Sequence, residues 1–413
     1  MEIELFLLQL CLFKFFGIFY YSLFKKIKTV EEKSVFFFFF VFYFIGGGVT
    51  WFGYPFNDIL YPSSGLNKIN LTILHAIIYA KLIFLTPLIF CYIPLIFRNK
   101  SAEFIKKKTL NQKYLYLIFS TLIFMFILWK VDTSLFTPSY SNYSESIDFR
   151  YSLKYGFYII FLGKSLLYFF SIGMLVFLFS VNDNSKLLYF LILVIIIITV
   201  DVFVFLSKLN LSFFLLSYIF LHLIFNKLRI SSLFTILTIP LLYILYNIYS
   251  PSGYSSVYVI EPVIKALTRF TICAVYFIDY FLTAEFMMKP YFSTILGIDS
   301  YNPNDVIFRH MFSISTYGST ASGIIIYNYS NFGPFSIFIS IFEFFVIYFL
   351  YNKIKCVFSY PLRISLLFLL LFGTLNYNFV TILINPLVFL VGFCFYFLFN
   401  KFLFTSLTIN KNA

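Results

Sequence analysis

Residues 34–52 read SVFFFFFVFYFIGGGVTWF, an uninterrupted run without a charged side chain. About 20 mostly apolar residues in a helix cross the ~30 Å hydrocarbon core of a bilayer, so this stretch reads as a membrane span. Segments of the same character lie on both sides of it, near 5–24, 71–97, 114–131, 156–180 and 187–206, then 211–226, 230–248, 334–351, 364–384 and 386–400. By the length rule these amount to about 11 spans, with 211–226 and 386–400 the shortest. The composition agrees. With 61% hydrophobic and 11% charged residues among 413, the chain has too little polar surface for a water-soluble globule. The expected fold class is all-α: a polytopic integral membrane protein in which residues 1–413 form one helical membrane domain, with a large loop at 249–333. The Phe36–Phe40 run reads as coding bias rather than as an aromatic cage. Gly46, Gly47 and Gly48 permit either close helix approach or a hinge.

Orientation follows from the basic residues, which collect in short cytoplasmic loops. Lys25, Lys26, Lys28 and Lys33 form one group, and Arg98, Lys100, Lys106, Lys107, Lys108 and Lys113 a second. The turn Lys227–Arg229 and the group Lys353, Lys355 and Arg363 complete the set. Eleven spans put all of them on the cytoplasmic side and send the amino terminus and loops 53–70, 132–155 and 249–333 outside. Phe270–Met288 contains Asp279 and Glu285 and reads as an interfacial or re-entrant helix of the last loop. The net charge of +13 is explained by this topology and by anionic headgroups, not by nucleic acid. The acidic start (Glu2, Glu4) and the lack of an A-x-A-like site imply a first span retained as a signal anchor. The five cysteines are scattered singly and imply neither a metal site nor a disulfide framework.

No Walker A sequence, HExxH, GxSxG or GxGxxG is present, so the energy for any reaction comes from the substrate or from a gradient. Two classes survive: an enzyme acting on a membrane-anchored activated substrate, and a transporter. Ionisable residues inside spans are the transporter's mark, because burying charge in lipid is costly. Lys14, Lys81, Lys164 and Asp201 are the candidates: Lys14 as a snorkelling side chain, Lys164 and Asp201 either as an ion pair or as part of a pathway. His75 and His222 lie in apolar helices and read as satisfied core histidines.

The loop 249–333 favours the enzyme. It holds Lys265, Arg269, Asp279, Glu285, Lys289, Asp299, Asp305, Arg309 and His310, followed by a polar run that ends in Asn331-Phe332-Gly333-Pro334. Guanidinium groups bind pyrophosphate oxygens with a planar, permanently charged fork, and Arg150, Arg269 and Arg309 all fall on the outer side. Such a group stabilises the charge that develops on a leaving pyrophosphate without a metal. An acceptor hydroxyl needs a base, for which His310, Asp305, Glu285 and Asp279 are the choices. The plain alternative is a set of charges that merely solvates a large exposed loop.

The order of features resembles the Wzy-type O-antigen or oligosaccharide repeat-unit polymerases of bacterial inner membranes. The likeness rests on the span count, a modest outer loop at 132–155 and a larger late one. Within the late loop, Tyr317-Gly318-Ser319-Thr320-Ala321-Ser322-Gly323 leads into Ile324 to Gly333 in the manner of that family's polar turn and "lY-x-nFG". The Arg-x10-Gly pattern of some members is missing, since Arg150, Arg269 and Arg309 have no Gly at the required place. His310 and Gly318 match the His-x7-Gly spacing of the related O-antigen ligases. The resemblance implies a metal-independent glycosyltransferase that needs no cofactor and joins undecaprenyl-pyrophosphate-linked oligosaccharides at the periplasmic face. On that reading we expect the pyrophosphate at Arg269 and Arg309 with Arg150 and Lys265 assisting, the base at His310, and sugar contacts from Tyr317 and Asn331. Membrane lipids, a chain-length regulator and a flippase of the same pathway are the implied partners. An O-antigen ligase and a polysaccharide flippase or other transporter remain as alternatives.

Overall fold

The computed structural model describes residues 2–53, 67–97, 118–123, 125–127, 164–180, 193, 196, 209–225, 261–284, 303–312, 322–355 and 360–376. All regular structure among them is helical, as expected where hydrocarbon offers the backbone no hydrogen-bond partner. Four stretches are long and apolar enough to cross a membrane: Ile3–Phe24, Val30–Gly53, Ile73–Ile96 and Ile324–Lys353. The chain is therefore a helical membrane protein, and the other spans expected from the sequence are not counted among the described residues.

In chain order the helices are α1 (Glu2–Phe24), α2 (Val30–Phe39), α3 (Gly46–Gly53), α4 (Ile73–Tyr79), α5 (Thr86–Ile96) and α6 (Lys164–Ser180). They continue with α7 (Leu209–Phe225), α8 (Glu261–Thr283), α9 (Pro303–Phe312), α10 (Ile324–Phe332), α11 (Ser336–Ile354) and α12 (Tyr360–Asn376). π-Helical segments, Phe40–Ile45 and Ala80–Leu85, join α2 to α3 and α4 to α5. The second has a local cause. Pro87 lacks an amide hydrogen, so the ladder widens before it, and the Lys81 carbonyl accepts both the Thr86 N–H and, at 2.8 Å, the Thr86 hydroxyl. The chain forms two compact units, Met1–Ile105 with Leu215–Val380, and Lys106–Phe214 with Thr381–Ala413. The first unit holds α1–α5 and α8–α12, and the second contains α6.

The glycine triplet organises the first unit. Successive helical residues point about 100° apart, and each glycine faces a different neighbour. A Cβ on Gly46 would strike the Leu267 carbonyl of α8, one on Gly47 would lie 2.5 Å from Ile83, and one on Gly48 would lie 2.6 Å from Phe13 of α1. Of the two roles left open by the sequence, close approach is the one observed. Thr271 of α8 closes the contact with hydrogen bonds to the Thr50 hydroxyl (2.6 Å) and the Gly46 carbonyl (3.2 Å). The α8 helix thus lies along α3, with Leu267 opposite Gly46 at its start. Trp51 stacks on Phe84 at 5.2 Å, and the Tyr79 hydroxyl donates to the Gly47 carbonyl.

At the opposite end, Thr29 and Glu32 form a capping box at the start of α2. Glu31 then accepts from Lys355 Nζ at 3.0 Å and from the Tyr351 hydroxyl at 3.1 Å. The basic connections around 25–33 and 353–363, assigned to one side by charge, therefore meet at one end of the bundle. Most of α1 has its apolar side chains exposed, as has one stripe of α11 (Phe338, Phe342, Phe345, Phe349). These faces suit lipid.

Ile324–Lys353 does not run straight. Gly333 has φ 53° and ψ −128°, a conformation in which a Cβ is strained. Here α10 turns back onto α11, so that Asn328 donates both to Ser340 at 3.1 Å and to Glu343. Gly323, at the start of α10, sits so close to the Thr374 carbonyl of α12 that a side chain has no room. Ile324–Phe332, read as the end of the large loop, forms a mostly buried helix, and Tyr317–Ala321 of the expected polar turn lie outside the described residues.

Candidate functional site

Asp279 of α8 and His310 of α9 meet at His75, near the start of α4. Thr72 caps α4: its hydroxyl accepts the His75 N–H at 3.4 Å, while the Thr72 N–H donates to His75 Nδ1 at 3.2 Å. The Thr72 hydroxyl also lies 2.7 Å from Nδ1. A nitrogen that accepts a backbone N–H is unprotonated, so the proton of neutral His75 sits on Nε2. That N–H points at Asp279 Oδ1, 3.2 Å away. The other carboxylate oxygen, Oδ2, pairs with His310 Nε2 at 2.9 Å.

Two of the chain's three histidines thus hold one aspartate, one on each oxygen. The helix framework explains the convergence. Asp279 lies in the last turns of α8, which α3 holds in place, and α9 packs on α8. The segment before α4 crosses the end of α9: the Asn67 side chain donates to the His310 carbonyl at 2.6 Å, and its N–H donates to the Met311 carbonyl at 2.7 Å. These bonds satisfy carbonyls that the end of α9 would otherwise leave unpaired. The Tyr276 hydroxyl fixes the same segment through the Asn67 carbonyl at 2.7 Å. Tyr280 and Tyr276 meet the His310 ring edge to face, at 5.5 and 6.2 Å.

Accessibility is graded. The His75 side chain is 10% exposed, Asp279 28% and His310 32%. His75 is a buried brace, whereas His310 stands at the solvent-facing side next to exposed Arg309. With Nε2 against the carboxylate, His310 has Nδ1 on the other edge of its ring, and Asp279 fixes the ring's orientation. This is the arrangement of a histidine general base with an orienting carboxylate. A cavity of about 10 Å³, room for about one water molecule, adjoins His75, between Gln9, Trp51, Thr72, Tyr79 and Val275. Among the described residues, no cluster of three His, Cys, Asp or Glu side chains is arranged to hold a metal.

The remaining sequence candidates are placed differently. Arg269 and Lys265 belong to α8, about 15 and 21 Å along its axis from Asp279 at 1.5 Å per residue. Asn331 is buried in α10, its amide donating to the Tyr327 carbonyl at 2.8 Å. Arg150 and Tyr317 lie outside the described residues, as do Glu285 and Asp201; Asp305 is in α9, and Lys164 begins α6. Lys14 and Lys81 are exposed on their helices. His222 is buried, with its ring on Tyr218 at 4.5 Å.

The sequence reading misses the part played by His75, although one signal for it was there. Thr72 and His75 have the spacing of a capping pair, which gives an imidazole polar company at a helix start. It also omits Glu343, which is buried within α11. No family model, no curated protein and no solved structure matches this chain.

Proposed function

We propose that the chain is a membrane glycosyltransferase that polymerises lipid-pyrophosphate-linked oligosaccharide units, with His310 as the general base. The observation that carries this reading is the pairing of Asp279 with both His75 and His310, beside exposed Arg309. An acceptor sugar hydroxyl placed at His310 Nδ1 loses its proton to the ring as its oxygen attacks the anomeric carbon of the donor. The bond from that carbon to the pyrophosphate oxygen breaks, and the electron pair leaves with the pyrophosphate. The guanidinium of Arg309 neutralises the charge gained there. The proton stays on His310, stabilised by Asp279, until water removes it.

Arg309 takes the leading role at the pyrophosphate because it adjoins His310 on α9, whereas Arg269 and Lys265 stand further along α8. The reading places this end of the bundle at the periplasmic face of a bacterial inner membrane, opposite the lysine-rich end at Glu31 and Lys355. An undecaprenyl carrier and an acceptor sugar follow from the family resemblance. An O-antigen ligase would use the same donor chemistry with a different acceptor. A transporter is the second reading, favoured by one observation: Glu343 is buried within a helix of spanning length.

The test is a glycan gel from a deletion strain rescued with wild type or with Arg309→Ala at equal membrane level. The polymerase reading expects a single repeat unit in the deletion strain and a ladder restored only by wild type. Loss of even the single unit would favour ligase or transporter, and an unchanged ladder would remove glycan assembly altogether.

A further inference from the structure

Helix α1 is the least covered of the four described helices of spanning length. Of its spanning window 17% is buried, against 67% in both Val30–Gly53 and Ile73–Ile96. Leu7, Cys11, Lys14, Ile18 and Tyr21 are all exposed. Their spacing of four, three, four and three residues puts them on one face, the pattern of a seam against a second helix. Gln9, Phe16, Tyr20 and Leu23 turn the other way and are buried within the protein.

Between Leu7 and Tyr21 this face carries one charge, at its middle. Lys14 stands eleven residues from Ile3 and ten from Phe24, which at 1.5 Å per residue is about 15 Å from either end of the span. A four-carbon stem covers less than half of that distance, too little to snorkel to the headgroups. Among the described residues Lys14 has no hydrogen-bond or ion-pair partner. Lys81 is in the same position: exposed, without a partner among the described residues, and on the π-helical segment against which α1 packs. The Phe13 and Phe16 rings, on either side of Lys14 in the sequence, both meet the Phe84 ring, at 5.8 and 5.9 Å, three residues after Lys81. Two ammonium groups therefore share one layer of the hydrocarbon, where an unpaired charge is costly and the attraction of an anion is strong.

That charge selects the occupant. Lipid tails offer an ammonium group nothing, and headgroup phosphates lie at the ends of the span. A second copy of α1 sets lysine against lysine, which repels. A spanning helix with a carboxylate at its middle supplies both the anion at this depth and apolar surface above and below it. We propose that the Leu7–Tyr21 face of α1 docks one spanning helix of another membrane protein, through an ion pair between Lys14 and an aspartate or glutamate at the middle of that helix. The partner's apolar side chains lie against Leu7, Ile18 and Tyr21. This surface is independent of the reaction proposed at Asp279 and does not require it.

The test places the full chain in lipid nanodiscs with a synthetic spanning helix of leucine and alanine that carries one aspartate at its centre, and reads binding as energy transfer between dyes on the two. The aspartate helix is expected to bind about tenfold more tightly than two controls, one with leucine at the centre and one with the aspartate moved two turns towards an end. Lys14→Leu removes that advantage and Lys14→Arg keeps it. Equal binding of the aspartate helix and either control would overturn the proposal and leave a plain lipid-facing surface. An undiminished advantage in Lys14→Leu would do the same. So would energy transfer between copies of the chain that Lys14→Leu abolishes, which makes a second copy the occupant, or carbodiimide coupling of Lys14 to a carboxylate of its own chain before any helix is added.

Discussion

Replacing Asp279 with asparagine alters the site by one atom and, by this geometry, stops it working. His75 has no freedom to adapt, because the Thr72 N–H fixes Nδ1 as an acceptor and leaves Nε2–H pointing at residue 279. The single oxygen of the asparagine amide therefore turns to His75. Its NH2 then faces His310 Nε2, where Asp279 Oδ2 now stands at 2.9 Å. His310 is forced to accept at Nε2 and to carry its proton on Nδ1, the nitrogen that should receive one. A wrong tautomer together with the loss of general-base catalysis is worth roughly 10²–10⁴ in rate. The fold survives, since the exchange trades charge-assisted hydrogen bonds for neutral ones at about 1–2 kcal/mol in a partly exposed site. The assay is ladder formation in a deletion strain, normalised to membrane protein. Removing His75 as well, in Asp279→Asn/His75→Ala, frees the amide to turn its oxygen to His310 and restores part of the activity. Full activity of Asp279→Asn at normal protein level would refute the reasoning, and a double variant no better than the single would refute the tautomer argument.

Three further outcomes are expected. Gly46→Ala drives a methyl group into the Leu267 carbonyl and costs about 1–3 kcal/mol, whereas Gly48→Ala meets only the movable Phe13 ring and costs less; thermal melts in detergent rank the two. Arg309→Ala abolishes polymerisation, and Arg309→Lys keeps the charge without the planar fork and remains impaired; a lysine variant with wild-type ladders would contradict bidentate pyrophosphate binding. Glu31→Gln weakens the tie to Lys355 and Tyr351 and lowers the melting temperature by the equivalent of about 1–3 kcal/mol, with a smaller loss in Glu31→Asp.

The membrane class and the position of the long spans were legible because length and hydropathy alone decide them. Ile3–Phe24, Val30–Gly53, Ile73–Ile96 and α11 all fall within a few residues of the apolar segments read from the sequence. The fold-back of α10 was not legible. Asn328, Ser330 and Asn331 read as polar residues of an outer loop, yet each meets a partner inside the protein, Asn328 on α11 and the other two within their own helix. The reversal depends on one backbone conformation at Gly333. The π-helical segments were equally hidden, since a widened ladder leaves the apolar pattern unchanged. Among the candidate site residues, His310, Arg309 and Asp279 stood out as charges in an apolar chain. Their meeting with His75 did not, because 204 residues separate His75 from Asp279 and the packing of α8 on α3 and α4 joins them. Arg269 shared the chemistry of Arg309 in the sequence, and the rise of α8 separates the two.

The most direct test reconstitutes the purified protein in liposomes with a polyprenyl-pyrophosphate-linked repeat unit and follows both polymer length and released polyprenyl pyrophosphate. The account predicts elongation by wild type, with one carrier released for each linkage formed, and neither product from Asp279→Asn. Movement of intact lipid-linked units across the bilayer without carrier release would contradict it and make the protein a transporter.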